Sequence, residues 1–392
     1  MNSKHPSIDS DLRQLLMFAP LDGPQYRLRM VKFCLVTKKL GIDVKYFGWN
    51  RGFDQTLWEG EPLVSSNTPI LSGETKSSLA KKIGYLRWCY VTWRQLWRLK
   101  PKSIVYCLGF ETAFAAYCYS FFFPIRFIFD DADTFSLHAP LPSFLKPFVR
   151  MLENWTRQRS RLTIVPTAHR YDRMTETMRL IKNTPDRSLV DISRSLEVAR
   201  PVNAKLIVYA NGVLTDYRGL GILQSVATRL GKNPDTAESV LFLLAGRMED
   251  PNHEILNLPN VDYKGRVPNT VALSYYRIAD LVFTYYDPAG GEINRYASSN
   301  KWGDCLVFGV PPVINREVES VPEFREQDAC LTFDYEDVDG LTDCIQQIVR
   351  QPELLDQLKN KLRPLQESFQ YFDDAITSEF HQLYPDSSGA SP

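Results

Sequence analysis

The chain has little of what marks several common protein classes. Its seven cysteines (Cys34, Cys89, Cys107, Cys118, Cys305, Cys330, Cys344) are scattered and odd in number. That argues against a disulfide framework and suits buried thiols in a reducing compartment. The five histidines are equally scattered, so no metal site is expected. No segment resembles a membrane span, which needs about 20 apolar residues. The longest apolar stretch, Ala113 to Phe129, is interrupted by Pro124 and Arg126. Met1 to Asp11 is polar, so no secretory signal is expected, and the expected location is cytoplasmic, peripheral to a membrane at most. Neither G-x-G-x-x-G nor G-x-x-x-x-G-K-[ST] occurs. A dinucleotide oxidoreductase and a Walker-type ATPase are both disfavoured.

What is present is length, apolar content and a divided charge. At 392 residues with 44% hydrophobic residues, the chain suits two packed domains. The net charge is zero, but residues 1–200 carry 30 Lys+Arg against 18 Asp+Glu, and residues 201–392 carry 16 against 28. Such asymmetry points to different partners for the two halves, with an anionic surface sought on the basic one. Short apolar runs alternate with helical periods in both halves, which predicts α/β architecture: two doubly wound, Rossmann-like domains with parallel sheets, facing across a cleft. The expected division is 1–190, then 191–371, a helix over 372–385 that packs back on the first domain, and a frayed tail at 386–392. The polar stretch Asn183–Pro201 is expected to be the hinge.

The order of short elements from Val208 to Val313 resembles the donor domain of family 4 glycosyltransferases, which have the GT-B fold. Asn211-Gly212 and Tyr217-Arg218-Gly219 look like that family's glycine turn and the basic residue opening the next helix. Leu244-Ala245-Gly246 resembles its second strand end, and Val261 to Val267 its following turn. Tyr275 to Asp280 resembles its helix end. Asn300-Lys301-Trp302-Gly303-Asp304, leading to Gly309-Val310-Pro311-Pro312-Val313, resembles its donor-binding helix and next strand. The first half carries fainter echoes: Asp22-Gly23-Pro24 with Arg27 or Arg29, the Asp130-Asp131-Ala132-Asp133 turn, and Glu153. The resemblance implies a retaining transferase that needs no metal and no cofactor, taking a nucleotide sugar as donor. The acceptor would be a glycan or a lipid-linked glycan, as in bacterial surface-polysaccharide synthesis.

Without a metal, Arg, Lys and helix N-termini must neutralise the leaving diphosphate. Arg218 and Lys301 are the candidates, with Gly212, Gly246, Arg247 and Asn300 beside them. Asp304 matches the family glutamate that accepts from ribose hydroxyls, one methylene shorter. Glu292, on the glycine loop Pro288–Glu292, could approach the sugar or diphosphate. Asp130 and Asp133 are the candidates for orienting or deprotonating the acceptor, though aspartates before a helix are commonly caps. Three departures stand out: Tyr296 where the family's first glutamate would be, Val213 where an arginine often follows the glycine turn, and Ala132 where a histidine is frequent. They keep open a non-catalytic subunit of this fold that binds a partner enzyme, and a nucleotide-sugar 2-epimerase of the same fold is a separate alternative.

From Lys76 to Lys102 there are eight cations and no acid, and Leu79, Ile83, Leu86, Tyr90, Trp93 and Trp97 share one helical face. Such a helix suits an anionic membrane surface. Packing of that face into the core, with the cations solvated, is the slightly favoured expectation. No nucleic-acid-binding motif accompanies the charge.

Overall fold

The computed structural model describes residues 13–52, 58, 60–73, 78–139 and 141–384. Lys76 and the tail expected at 386–392 lie outside these, as do the side chains of Leu79, Lys81 and Lys82. The chain divides into two compact units, Met1–Lys182 with Phe372–Pro392, and Asn183–Tyr371.

The first unit runs β1 (Gln14–Ala19), α1 (Leu28–Lys39), β2 (Asp43–Asn50), β3 (Ser66–Ser72), α2 (Ser78–Leu99), β4 (Ile104–Leu108), α3 (Phe110–Tyr119), β5 (Phe127–Asp130), α4 (Phe135–His138), α5 (Lys146–Arg159), β6 (Leu162–Val165) and β7 (Met178–Leu180). Its described strands form a parallel sheet in the order β3-β2-β1-β4-β5-β6-β7, so the order reverses between β1 and β4. Strand alternation supplies two cores. Leu15, Met17, Tyr106 and Leu108 face one side of the sheet, and Leu16, Phe18, Val105 and Cys107 the other. Because helices cover both faces, β1 and β4 read as continuous apolar runs.

The second unit runs α6 (Arg187–Ser195), β8 (Leu206–Leu214), α7 (Leu220–Lys232), β9 (Val240–Met248), β10 (Val261–Tyr263), α8 (Asn269–Ser274), β11 (Leu281–Phe283), α9 (Glu292–Arg295), α10 (Asn300–Phe308), β12 (Pro312–Asn315), α11 (Pro322–Glu326), β13 (Leu331–Phe333), α12 (Val338–Arg350) and α13 (Glu353–Glu367). Its sheet is also parallel, in the order β10-β9-β8-β11-β12-β13, with the reversal between β8 and β11. The final helix, α14 (Phe372–Leu383), belongs to the first unit. Phe372, Ile376 and Phe380 enter its core, the Phe33 and Phe380 rings lie 5.2 Å apart, and Lys39 pairs with Asp373 at 3.2 Å.

The stretch with Pro62 and Pro69 contains β3. It is an edge strand, where the missing proline N–H costs no ladder bond. The stretch read as hinge contains α6, started by Asp186, whose side chain accepts from Ser188 N at 2.9 Å. The glycine turn is not a turn. β8 continues through Gly212 to Leu214 and pairs with β9 as Gly212↔Gly246, Val213↔Arg247 and Leu214↔Met248. Gly246 has φ +138°, and a Cβ on it would stand 1.9 Å from the Gly212 carbonyl oxygen, so only glycine lets these strands run on together. Finally, the α2 face expected in the core divides: Trp93 and Trp97 pack half-buried against it beside the buried Trp88, Thr92 and Leu96, whereas Ile83, Leu86 and Tyr90 are exposed. Trp88 Nε1 donates to Thr112 Oγ1 at 2.9 Å, which anchors this division on α3.

Candidate functional site

In the second unit, the reversal of strand order between β8 and β11 is where doubly wound sheets commonly receive ligands. Two cations meet there. Arg218 ends the short turn Asp216–Arg218 that follows β8, and Gly219, at φ +73°, redirects the chain into α7. A Cβ on Gly219 would lie 2.6 Å from Tyr285 Cβ, so the turn needs glycine there. Lys301 stands in the first turn of α10, whose cap Ser299 accepts from Lys301 N at 3.3 Å. The Lys301 ammonium lies over Gly212, where a Cβ would stand 3.9 Å from Nζ. Arg218 stacks on the Tyr286 ring with its guanidinium carbon 4.2 Å from the centroid. Both cations line a narrow pocket with Asn211, Leu214, Phe283 and Thr284.

The electrostatics of this pair are unbalanced. Burial holds the Lys301 ammonium below the ordinary lysine range, and Arg218 pushes the same way against Tyr286 and Asp304. Among the described residues neither side chain forms an ion pair. Two cations converging at a helix N-terminus, one of them over a glycine, form a place for an anion. Asp304 lies one turn along α10 from Lys301, buried, with the Tyr276 hydroxyl 3.4 Å from Oδ2. Burial raises the Tyr276 phenol well above its usual range, and Asp304 adds to the shift. Asn300, the first residue of α10, is half-buried. Arg247, near the end of β9, and Glu292, opening α9, are exposed. The structure thus draws Gly212, Gly246, Arg218 and Lys301 together, with Asp304 behind them. Tyr286 was not anticipated, although an aromatic residue just past β11 at the switch point was a usable signal.

In the first unit, Asp130 ends β5 and is fully buried. Arg29 Nε donates to both of its oxygens at 2.9 Å, and the Tyr106 hydroxyl donates to Oδ2. Burial raises the Tyr106 phenol well above its usual range, with Asp130 reinforcing the shift. The proposed acid–base residue is therefore a carboxylate already neutralised by its surroundings. Asp131 accepts from Arg157 Nε at 2.9 Å and from a terminal guanidinium nitrogen at 2.7 Å. Glu153 accepts from Ser136 N at 3.2 Å and Ser136 Oγ at 2.7 Å. Burial pushes its carboxyl above the usual range, Asp131 adds to this, and Arg157 opposes it. Asp133 alone of the three aspartates reaches solvent, paired with Arg27 at 2.5 Å.

No family model matches the chain, and no curated protein matches it in sequence. Solved structures do match in shape. One is a sucrose-phosphate synthase from Thermosynechococcus elongatus, at 14% identity and TM-score 0.64. A second is a trehalose-6-phosphate protein from E. coli bound with UDP-2-fluoro glucose, at 10% identity and TM-score 0.65. A third is a UDP-forming alpha,alpha-trehalose-phosphate synthase from Burkholderia xenovorans in complex with glucose-6-phosphate, at 13% identity and TM-score 0.65. Each match covers 95% of this chain and 99% of the other. The fold is GT-B, an α/β fold of two domains. At these identities the likeness carries the fold and not the substrate.

Proposed function

We propose that the protein is a retaining glycosyltransferase that takes its sugar from a nucleotide-sugar donor held by the second unit. The observation that carries this is the pair Arg218 and Lys301 at the β8/β11 switch point, one resting on Tyr286 and the other over Gly212, neither in an ion pair among the described residues. A diphosphate bound there would accept from both side chains and from the N-terminus of α10, and the same contacts would strengthen as charge grows on the leaving group. Asp304 would take the ribose hydroxyls through its carboxylate, and Asp133 the acceptor hydroxyl. Three further points support the reading. The segment 208–313 resembles family 4 glycosyltransferases, one structural neighbour is bound with UDP-2-fluoro glucose, and another was studied for glycosyl transfer with retention. The acceptor in this reading is a glycan or lipid-linked glycan, and the diphosphate is neutralised by side chains without a metal.

The test is calorimetric titration of the purified chain with UDP, GDP and ADP, each with and without magnesium. Binding of one nucleotide that is indifferent to magnesium, and weakened about tenfold or more by Arg218→Ala, is the expected result. Absence of binding to all three would overturn the donor site. A second reading, a non-catalytic subunit of the same fold, is favoured by the buried and neutralised state of Asp130. It predicts nucleotide binding with no hydrolysis of the bound nucleotide sugar and no transfer to any acceptor.

A further inference from the structure

Among the described residues, most of the exposed large apolar side chains of the first unit lie on helices α2 and α5 and at the end of α3. Helices α2, α3 and α5 all pack on the same face of its sheet, through Trp88 and Leu96, through Phe110 to Tyr119, and through Val149 and Leu152. Their outward sides therefore look the same way. On α2 these carry Ile83, Leu86 and Tyr90, with Leu86 74% exposed. From Tyr90 a chain of rings runs through Trp93 and Trp97 to Phe122, with centroids 6.3, 5.3 and 5.6 Å apart. Phe121 stands beside it, 67% exposed. On α5, Phe148, Met151 and Trp155 share one helical face, and Phe144, two residues before the helix, continues it at 79% exposure.

The charge around this apolar surface has one sign. Arg87, Arg94, Arg98, Lys100, Lys102, Lys146, Arg159 and Arg161 are exposed on or beside these helices. Between residues 78 and 129 the single acid is Glu111, and between 134 and 161 it is Glu153, which is buried. Trp93 and Trp97 are half-buried against the core, but Leu86, Tyr90, Phe121, Phe122, Phe144, Phe148 and Trp155 are exposed on neighbouring helices, which gains a monomer in water nothing, and a ring of cations would repel a like-charged protein partner. Aromatic rings flanked by Lys and Arg match the headgroup boundary of an anionic bilayer, where rings sit among acyl ends and cations meet phosphates.

We propose that the outward face of α2, α3 and α5 docks the first unit on an anionic phospholipid surface. The docking is independent of the donor chemistry in the second unit. The full-length protein is sedimented with vesicles of phosphatidylglycerol and, separately, of phosphatidylcholine. The expected result is binding to phosphatidylglycerol that weakens as salt rises, with at least tenfold weaker binding to phosphatidylcholine. The triple variant Phe144→Ser, Phe148→Ser, Trp155→Ser should lose at least tenfold in binding while keeping nucleotide affinity. Should that variant fail to fold, Arg94→Glu with Lys146→Glu leaves every apolar contact in place and should lose more than about fivefold per cation removed. Failure of the wild-type chain to sediment with phosphatidylglycerol would overturn the proposal. So would equal binding to both lipids, or a wild-type dimer that the triple variant converts to monomer, which would mean that a second copy covers this face.

Discussion

The two units share one strand order, three strands out from the switch point on one side and the rest on the other, yet they treat charge in opposite ways. In the first, the carboxylates at the strand ends are consumed. Asp130 is held by Arg29 and Tyr106, and Asp131 by Arg157. In the second, Arg218 and Lys301 approach each other with an aromatic ring and a glycine for company. Paired buried charges report on the integrity of a fold, because removing one partner strands the other. Cations left without an ion pair, one of them an ammonium that burial already penalises, would report on an anion instead.

The largest effect that could break this comparison is on stability. Arg29→Ala leaves the Asp130 carboxylate buried without its cation and should cost about 3–5 kcal/mol, read from the urea midpoint. Arg29→Met with Asp130→Leu should recover much of that loss, since an apolar replacement of both partners leaves no stranded charge. Gly246→Ala comes next. Its Cβ would meet the Gly212 carbonyl, so β8 and β9 must separate at a cost of about 1–3 kcal/mol, with nucleotide affinity lost in parallel.

Arg218→Ala and Lys301→Ala should behave in the reverse manner. Each should leave the melting temperature nearly unchanged and weaken nucleotide binding by about 1.5–3 kcal/mol in calorimetry. A large fall in melting temperature with intact nucleotide binding would place these cations in the fold and remove the contrast between the units. The smallest effect is on pH dependence. Burial and Arg218 lower the free-state pKa of Lys301, and a bound anion favours the ammonium. Affinity should therefore be full below that lowered pKa and fall as pH rises through it, earlier than an ordinary lysine at about 10.4 would allow. Lys301→Arg, which stays charged throughout, should abolish the alkaline fall.

Helix α10 starts at Asn300, where the motif resembling a donor-binding helix begins, and α14 lies within the helix expected over 372–385, because each carries its own apolar period. Edge elements were not legible in this way. β3 carries Pro69, and β7 has three residues, so neither shows a pattern that survives without its neighbour in the sheet. Arg218 and Lys301 could be named from their places before and within helix starts. That Lys301 lies over Gly212, and that Arg218 rests on Tyr286, depends on residues 68 to 89 positions apart.

What the sequence determined by itself is therefore the alternation of strands and helices and the division into two α/β units, since these follow from period and local punctuation. Which charges cancel and which remain open was decided only by tertiary structure. Asp130 and Asp133 lie three residues apart with equal standing in the sequence. One end of that turn is drawn under α1 onto Arg29, and the other is left in solvent. The same holds for α2, whose expected core face is continuous in sequence. Beside the contact of Trp88 with Thr112, the core takes Trp93 and Trp97 of that face and leaves Ile83, Leu86 and Tyr90 outside.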